Sequence, residues 1–178
     1  MSSHGMHRFF VPPELIDGES VTLVGGVADQ LVRVLRTRPG EQIIVLDDTG
    51  WEYMVTLESL SRRKVQGRVT KRLRSKGEPG VGITLYQAVL KADRFEFVLQ
   101  KGTELGVSAF VPVFCARSVP KADGHGRTMR DRRWMRIITE AAEQSRRGRL
   151  PSLKTAVEFS DACERAEGLA LIPWEEEG

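Results

Sequence analysis

The sequence predicts an α/β protein in two parts, a small β-barrel over roughly its first seventy residues and a parallel α/β unit after it. Three observations carry this. Residues 8–73 hold short β-branched and aromatic runs punctuated by turn residues, which is the pattern of a small barrel or sandwich. Residues 83–114 read strand, amphipathic helix, strand, which requires two parallel strands and a right-handed crossover. Between them, residues 75–82 are dense in Gly and Pro with no apolar period and mark a linker.

In the first part the strand candidates are Arg8–Val11, Val21–Leu23, Gln42–Asp47, Glu52–Leu57 and Val65–Leu73. Asp17-Gly18, Pro39-Gly40 and Asp48-Thr49-Gly50 supply the turns between them. One helix interrupts the strands over Ala28–Arg36, where Leu31, Val34 and Leu35 share a face and Arg33 and Arg36 project elsewhere. Trp51 is expected to pack in the barrel. From Arg62 to Lys76 eight basic residues run without an acid. Such a run protects a sheet edge by charge or presents a surface to phosphates. The glycines of the linker precede a strand rather than follow one, so they make no dinucleotide-binding loop.

In the second part Ile83–Leu90 and Ala109–Phe114 read as buried strands. The helix between them sets Phe95, Val98, Leu99 and Gly102 on one face. Asp93 and Glu96 resemble a capping pair at its start, and Gly106 suits the left-handed residue that ends it. Ligands in open α/β sheets collect beyond the carboxyl ends of the strands, which points to Lys91 and the segment Cys115–Ser118. After a basic loop, Lys121–Arg130, a second helix places Trp134, Ile137, Ile138, Ala141 and Ser145 on its apolar face and stops at Gly148. Ser160 starts a shorter helix through Ala166, and Leu169–Ile172 reads as a buried strand. Pro173–Gly178 then forms a polar turn, an abrupt sequel to a central strand, so the sheet is expected to be incomplete.

Composition excludes several classes. Apolar residues at 40% and charged residues at 29% suit a globular domain. No apolar run reaches the length of a membrane span, and the first residues lack the apolar core of a signal peptide, so the expected location is cytoplasmic. Residues 1–5 precede the first strand and are left out of the fold. Cys115 and Cys163 are expected as buried free thiols, and the three histidines have no metal-ligand spacing, so no metal is expected. The net charge of +3 is too small to imply a polyanion partner, and the clustering of the cations argues better.

Several stretches resemble the bacterial 16S ribosomal RNA (uracil-N3)-methyltransferase family of the knotted SPOUT class. They are Met6–Val11, Val34–Arg36 with Pro39-Gly40, and Lys91 with Leu99–Val107; Pro112 with Arg117-Ser118, and Glu140–Arg146 with Leu150-Pro151, continue the series. The resemblance covers nearly all of residues 6–173. It implies a PUA-like β-barrel over 6–74, a linker over 75–82, and a SPOUT-type, trefoil-knot α/β domain over 83–178 that forms a homodimer. Two departures stand out. The family's histidine ahead of Val34-Leu35-Arg36 is replaced by Asp29-Gln30. The family's Gly-Pro-Glu-Gly-Gly loop and its Leu-Gly-x-Arg segment, which form the knot and most of the cofactor pocket, do not occur in these 178 residues.

The resemblance implies methylation of a uracil N3 in 16S ribosomal RNA or the small ribosomal subunit, with S-adenosyl-L-methionine as cofactor. It assigns the cofactor's first loop to Leu171, Ile172 and Pro173. Arg8, Arg36, Lys91, Arg117, Arg146 and Arg147 are the candidate RNA contacts, because a guanidinium binds phosphate in bidentate fashion and stacks on unpaired bases. Such a reaction needs no nucleophilic side chain, which agrees with the lack of a Ser/His/Asp set, and no general base can be assigned. Lys101 and Glu104 read equally as a helix ion pair. Two other functions fit the residues: a non-catalytic RNA-binding module, and an α/β protein with a small-molecule ligand at its strand ends.

Overall fold

The computed structural model describes residues 6–116, Ser118 and residues 124–173, with backbone alone at Ala92 and 124–127. A six-stranded curled sheet comes first, in the order β1-β4-β5-β6-β3-β2. Its strands are β1 (Arg8–Phe10), β2 (Ile16–Asp17), β3 (Ser20–Val24), β4 (Gln42–Leu46), β5 (Trp51–Leu60) and β6 (Lys64–Arg74). All neighbours are antiparallel except β1 and β4, which run parallel. Alternation does the folding: Val21 and Leu23, Val55 and Leu57, and Val65 point inward and are at most 1% exposed. Gly67 belongs to that inner face for lack of room, since a Cβ there would lie 2.4 Å from Val55 Cγ1. Trp51 packs half-buried on the rim of this core.

The expected helix over Ala28–Arg36 is instead α1 (Gly25–Asp29) continued by a wider turn of π-helix over Gln30–Val34. The extra residue in that turn rotates the side chains behind it, so Leu31 is buried while Val34 is 70% exposed. The chain leaves this turn through Arg36 at φ 53°.

The second sheet is parallel throughout. β8 (Ala109–Phe114) lies at its centre, with β7 (Thr84–Ala88) on one side and β9 (Ser152–Leu153) and β10 (Val157–Glu158) on the other. The crossover helix α2 (Ala92–Glu104) and α3 (Gly124–Gln144) cover one face, where Phe95, Leu99, Phe110, Trp134 and Ile138 form one core. The Phe95 and Trp134 rings sit 4.4 Å apart. Gly102 makes this packing possible, because a Cβ there would lie 2.8 Å from the Phe110 ring. A short helix, α4 (Phe159–Arg165), follows β10.

Other expectations need correction. Lys91, not Asp93, caps α2, and no side chain bonds the cap. α3 begins inside the expected basic loop and ends at Gln144, where Arg146 turns left-handed at φ 61° ahead of Gly148. Cys163 is exposed and Cys115 only half-buried, although both are free thiols. Leu169–Ile172 is not a strand: Leu169, Leu171 and Ile172 are 89%, 79% and 74% exposed. An apolar run specifies a buried strand only where a neighbouring strand can pair with it, and among the described residues none does. No helix of the described residues is long and apolar enough to cross a membrane, and no group of three metal-ligating side chains occurs among them.

Candidate functional site

The two sheets meet along a seam in which backbone groups of one are bonded by the other. Val11 N–H donates to Leu46 O within the first sheet, so the alternate N–H, that of Phe10, points off the free side of β1. Glu143 of α3 accepts it at 3.0 Å. Burial, aided by the charge of Glu140, pushes the Glu143 carboxyl up to about 6 against the opposing pull of Phe10 N–H and Arg8. Beside it Arg8 holds Glu52 in a bidentate pair at 2.6 and 3.1 Å, with side chains only 10% and 16% exposed. Burial opposes the charge on Glu52, but donation from Arg8 and Ser75 and the charge of Arg146 outweigh it and hold that carboxyl below its usual range.

Residues of the expected linker are packed into the same seam. A Cβ on Gly77 would lie 2.1 Å from Arg146 O, and one on Gly148 would lie 2.3 Å from Ser75 Cβ. Gly50 N–H donates to Gly148 O, and Leu150 N–H to Asp48 Oδ1. Glu78 accepts from Arg147 at 3.0 Å and from the N–H groups of Gly148 and Arg149. These donors overcome the cost of burial and lower its pKa. Arg147 also donates to Thr103 O and Val107 O at the end of α2.

Beside this seam Arg72, Arg74 and Arg149 form no ion pair among the described residues. Arg72 and Arg74 each stack 4.0 Å from the ring centre of Trp51. The guanidinium groups of Arg74 and Arg149 both come within 4 Å of the point where a Gly50 Cβ would sit. At the carboxyl end of β7 a cleft of about 670 Å³ is lined by Leu90, Met129, Trp134 and four arginines. Glu96 lines it too: Arg133 is tied to Glu96 at 2.7 Å, Arg136 to Glu140 at 3.6 Å and Arg130 to Asp131 at 3.8 Å, with Arg130 also 4.7 Å over the Trp134 ring. Such a surface can bind phosphate and stack bases.

A profile described as an RNA methyltransferase domain matches residues 77–178, and one described as an RNA methyltransferase PUA domain matches residues 31–70. The chain belongs to the RNA methyltransferase family. It is 31% identical to "Ribosomal RNA small subunit methyltransferase E" of Bacillus subtilis over 96% of this chain and 69% of that protein. The Synechocystis protein of the same name is 34% identical over 93% of this chain and 54% of its own length. This chain therefore spans between about half and two thirds of these relatives. Among solved structures, the same-named methyltransferase of Neisseria gonorrhoeae bound to S-adenosyl methionine superposes with a TM-score of 0.84 at 31% identity, covering 92% of this chain and 67% of that one. A putative methyltransferase from Legionella pneumophila in complex with SAM gives 0.85 at 28% identity over the same shares.

The α/β fold class read from the sequence is the fold of these relatives. Within this RNA methyltransferase family member, the candidate RNA residues fall into different settings. Arg36, Lys91 and Arg146 are exposed, and none forms an ion pair among the described residues. Arg8 is committed to Glu52. Arg147 needs correction: at 3% exposure, with its guanidinium spent on Glu78 and two carbonyls, it is an interior strut and not an RNA contact. Periodicity put it on the polar side of a helix, but the helix has ended before it, and the left-handed turn at Arg146 swings it inward. Arg117 lies outside the described residues. Lys101 and Glu104 form an exposed ion pair at 2.7 Å. Sequence reasoning missed Glu52, Glu78 and Glu143, whose partners are 44 to 133 residues away in the chain and leave no local signal. Leu171, Ile172 and Pro173 offer exposed apolar surface suited to one wall of an adenine site, and no charged group among them suits the rest of a cofactor.

Proposed function

We propose that this chain is the RNA-holding part of an S-adenosylmethionine-dependent methyltransferase that modifies N3 of a uracil in 16S ribosomal RNA, in the cytoplasm. The observation that supports it most is the likeness, over nearly the whole chain, to a ribosomal RNA small-subunit methyltransferase that holds S-adenosyl methionine. On this reading residues 6–74 form a PUA-like RNA-binding domain, 75–82 the connection, and 83–178 the SPOUT methyltransferase domain. S-adenosylmethionine would lie against Leu171, Ile172 and Pro173 and supply an electrophilic methyl group. Arg36, Arg146 and Lys91 hold the RNA by its phosphates, which fixes where the target base can reach. Arg8, by ion-pairing with Glu52 behind Arg146, positions that arginine through the charge on Glu52. The exposed Leu169, Leu171 and Ile172, with Phe97 and Leu105 on α2, supply apolar surface for a homodimer through the second domain.

The test is transfer of labelled methyl groups to small-subunit ribosomal RNA followed by nucleoside analysis. Label in 3-methyluridine is expected. Label in another nucleoside, or RNA binding with no transfer, would replace this reading with a different methyltransferase or with an RNA-binding module.

A further inference from the structure

Among the described residues several arginines face a carboxylate: Arg8 faces Glu52, Arg68 Glu58, Arg133 Glu96 and Arg147 Glu78. Arg74 and Arg149 do not. Arg74 Nη1 lies 3.7 Å and Arg149 Nε 3.4 Å from the position of a Gly50 Cβ, so two guanidinium groups converge on one point with no acid in ion-pair reach among the described residues. Arg74 comes from the end of β6 and Arg149 from the loop after α3, so the pair draws on both sheets. Nearby, Arg72 and Arg74 both stack on Trp51 at 4.0 Å, which restricts their planes. Gly50, at φ 88°, keeps the point clear, since any side chain there would occupy it. Beside it the backbone is open: β3 pairs with β6 only as far as Ser20 opposite Arg68, which leaves Lys71–Arg74 as an unpaired basic edge.

Asp48 and Glu78 lie nearby but are spent on the N–H groups of Leu150 and of Gly148 and Arg149, and Arg74 donates only a long 3.5 Å bond to Thr49 O. Two guanidinium groups with no carboxylate in ion-pair reach suit an anion, and a planar pair from separate elements suits consecutive phosphodiesters better than one small ion. The geometry points to Arg74 and Arg149, with Arg72 beside them on Trp51, as a clamp for the phosphodiester backbone of the RNA at the seam between the two sheets. This rests on the RNA reading proposed above. It goes further by placing the backbone across the Gly50 turn, on residues that neither the strand ends nor the sequence motifs select.

The test uses the whole chain and a small-subunit ribosomal RNA fragment, with affinity measured by fluorescence anisotropy from ~50 to ~200 mM salt. The R74Q/R149Q double variant is expected to bind at least tenfold more weakly at low salt, with the slope of log affinity against log salt shallower by about one to two. R74K/R149K should recover most of the slope and little of the affinity, because lysine keeps the charge without the fork. The control is R62Q/R63Q at the far end of the β5–β6 hairpin, roughly 30 Å away along β6, which should change affinity about threefold or less. Melting temperatures within about 3 °C of the parent guard against misfolding. If R74Q/R149Q binds as the parent does, the clamp is wrong and the RNA reading survives. If the Arg74 and Arg149 side-chain N–H signals respond to inorganic phosphate but not to RNA, the site belongs to a free anion and the clamp is again wrong. If the parent chain fails to bind RNA at low salt, the RNA reading and the clamp fall together.

Discussion

Glu143 and Arg147 stand four positions apart, and burial acts on them in opposite ways. Glu143 forms no ion pair among the described residues, and burial raises its carboxyl to about 6. A carboxyl that binds its proton more tightly in the folded chain contributes stability that declines as pH rises from its ordinary 4.5 through about 6, and stays lost above that. For a group shielded from water the difference would be ~2 kcal/mol, and partial exposure reduces this to about 1 kcal/mol. Glu143→Gln keeps an acceptor for Phe10 N–H and removes the titration. By calorimetry it should melt about 2–4 °C above the parent at pH 8 and within about 1 °C of it at pH 4.5. Glu52 and Glu78, whose lowered pKa values act in the opposite sense at acid pH, are common to both chains and cancel in the difference. A variant less stable at pH 8 would mean that ionised Glu143 is a stabilising partner. Arg147 has its partner, and losing it leaves the Glu78 carboxylate half-buried and takes a donor from Val107 O, while Thr103 O keeps the N–H of Gly106. Arg147→Met should cost about 3 kcal/mol in urea unfolding, while the variant that remains folded keeps the parent's salt dependence of RNA binding. A loss of RNA affinity without a loss of stability would return Arg147 to the interface.

At the scale of elements, the sequence was readable wherever an element carries a period of its own. Phe95, Leu99 and Gly102 marked the buried face of α2, and Trp134, Ile138 and Ala141 that of α3, because each helix buries one stripe against the other. β9 and β10 were invisible, since two residues have no alternation to read and exist only because β8 offers an edge to pair with. The packing of the expected linker at 75–78 was not legible, for a related reason. Gly and Pro density announces the absence of regular structure, and it cannot distinguish a loose tether from backbone pressed against backbone. Gly77 decides between the two. Gly77→Ala would force a Cβ onto Arg146 O and should destabilise by about 1–3 kcal/mol, whereas Gly80, with nothing within 4 Å of its Cβ position, should tolerate Ala with little change. Equal denaturant midpoints for the two variants would show that the seam opens easily and that the linker is a tether after all.

Among the described residues, arginines outside ion pairs gather near the seam, while the buried acids there are spent on fixing the frame. That division was half legible: the acid-free run from Arg62 to Lys76 was plain in the sequence, but its meeting with Arg149 depends on the packing of two sheets. Arg36 gives the division its sharpest test. It sits at φ 53°, a left-handed conformation costing roughly 1–2 kcal/mol for a side chain with a Cβ, and it makes no ion pair among the described residues to offset this. The left-handed turn closes the helix end, where Thr37 N–H and Oγ1–H donate to Leu31 O, and it leaves the guanidinium exposed and facing no acid. RNA affinity of the parent should fall tenfold or more between ~50 and ~200 mM salt. Arg36→Glu leaves the backbone cost as it is, so the melting temperature should stay nearly unchanged, while reversal of the charge weakens RNA binding by about 1–3 kcal/mol and makes its salt dependence shallower. Unfolding in place of weakened binding would show that Arg36 holds the π-turn; unchanged binding would remove Arg36 from the interface and shift the RNA path toward the Gly50 turn.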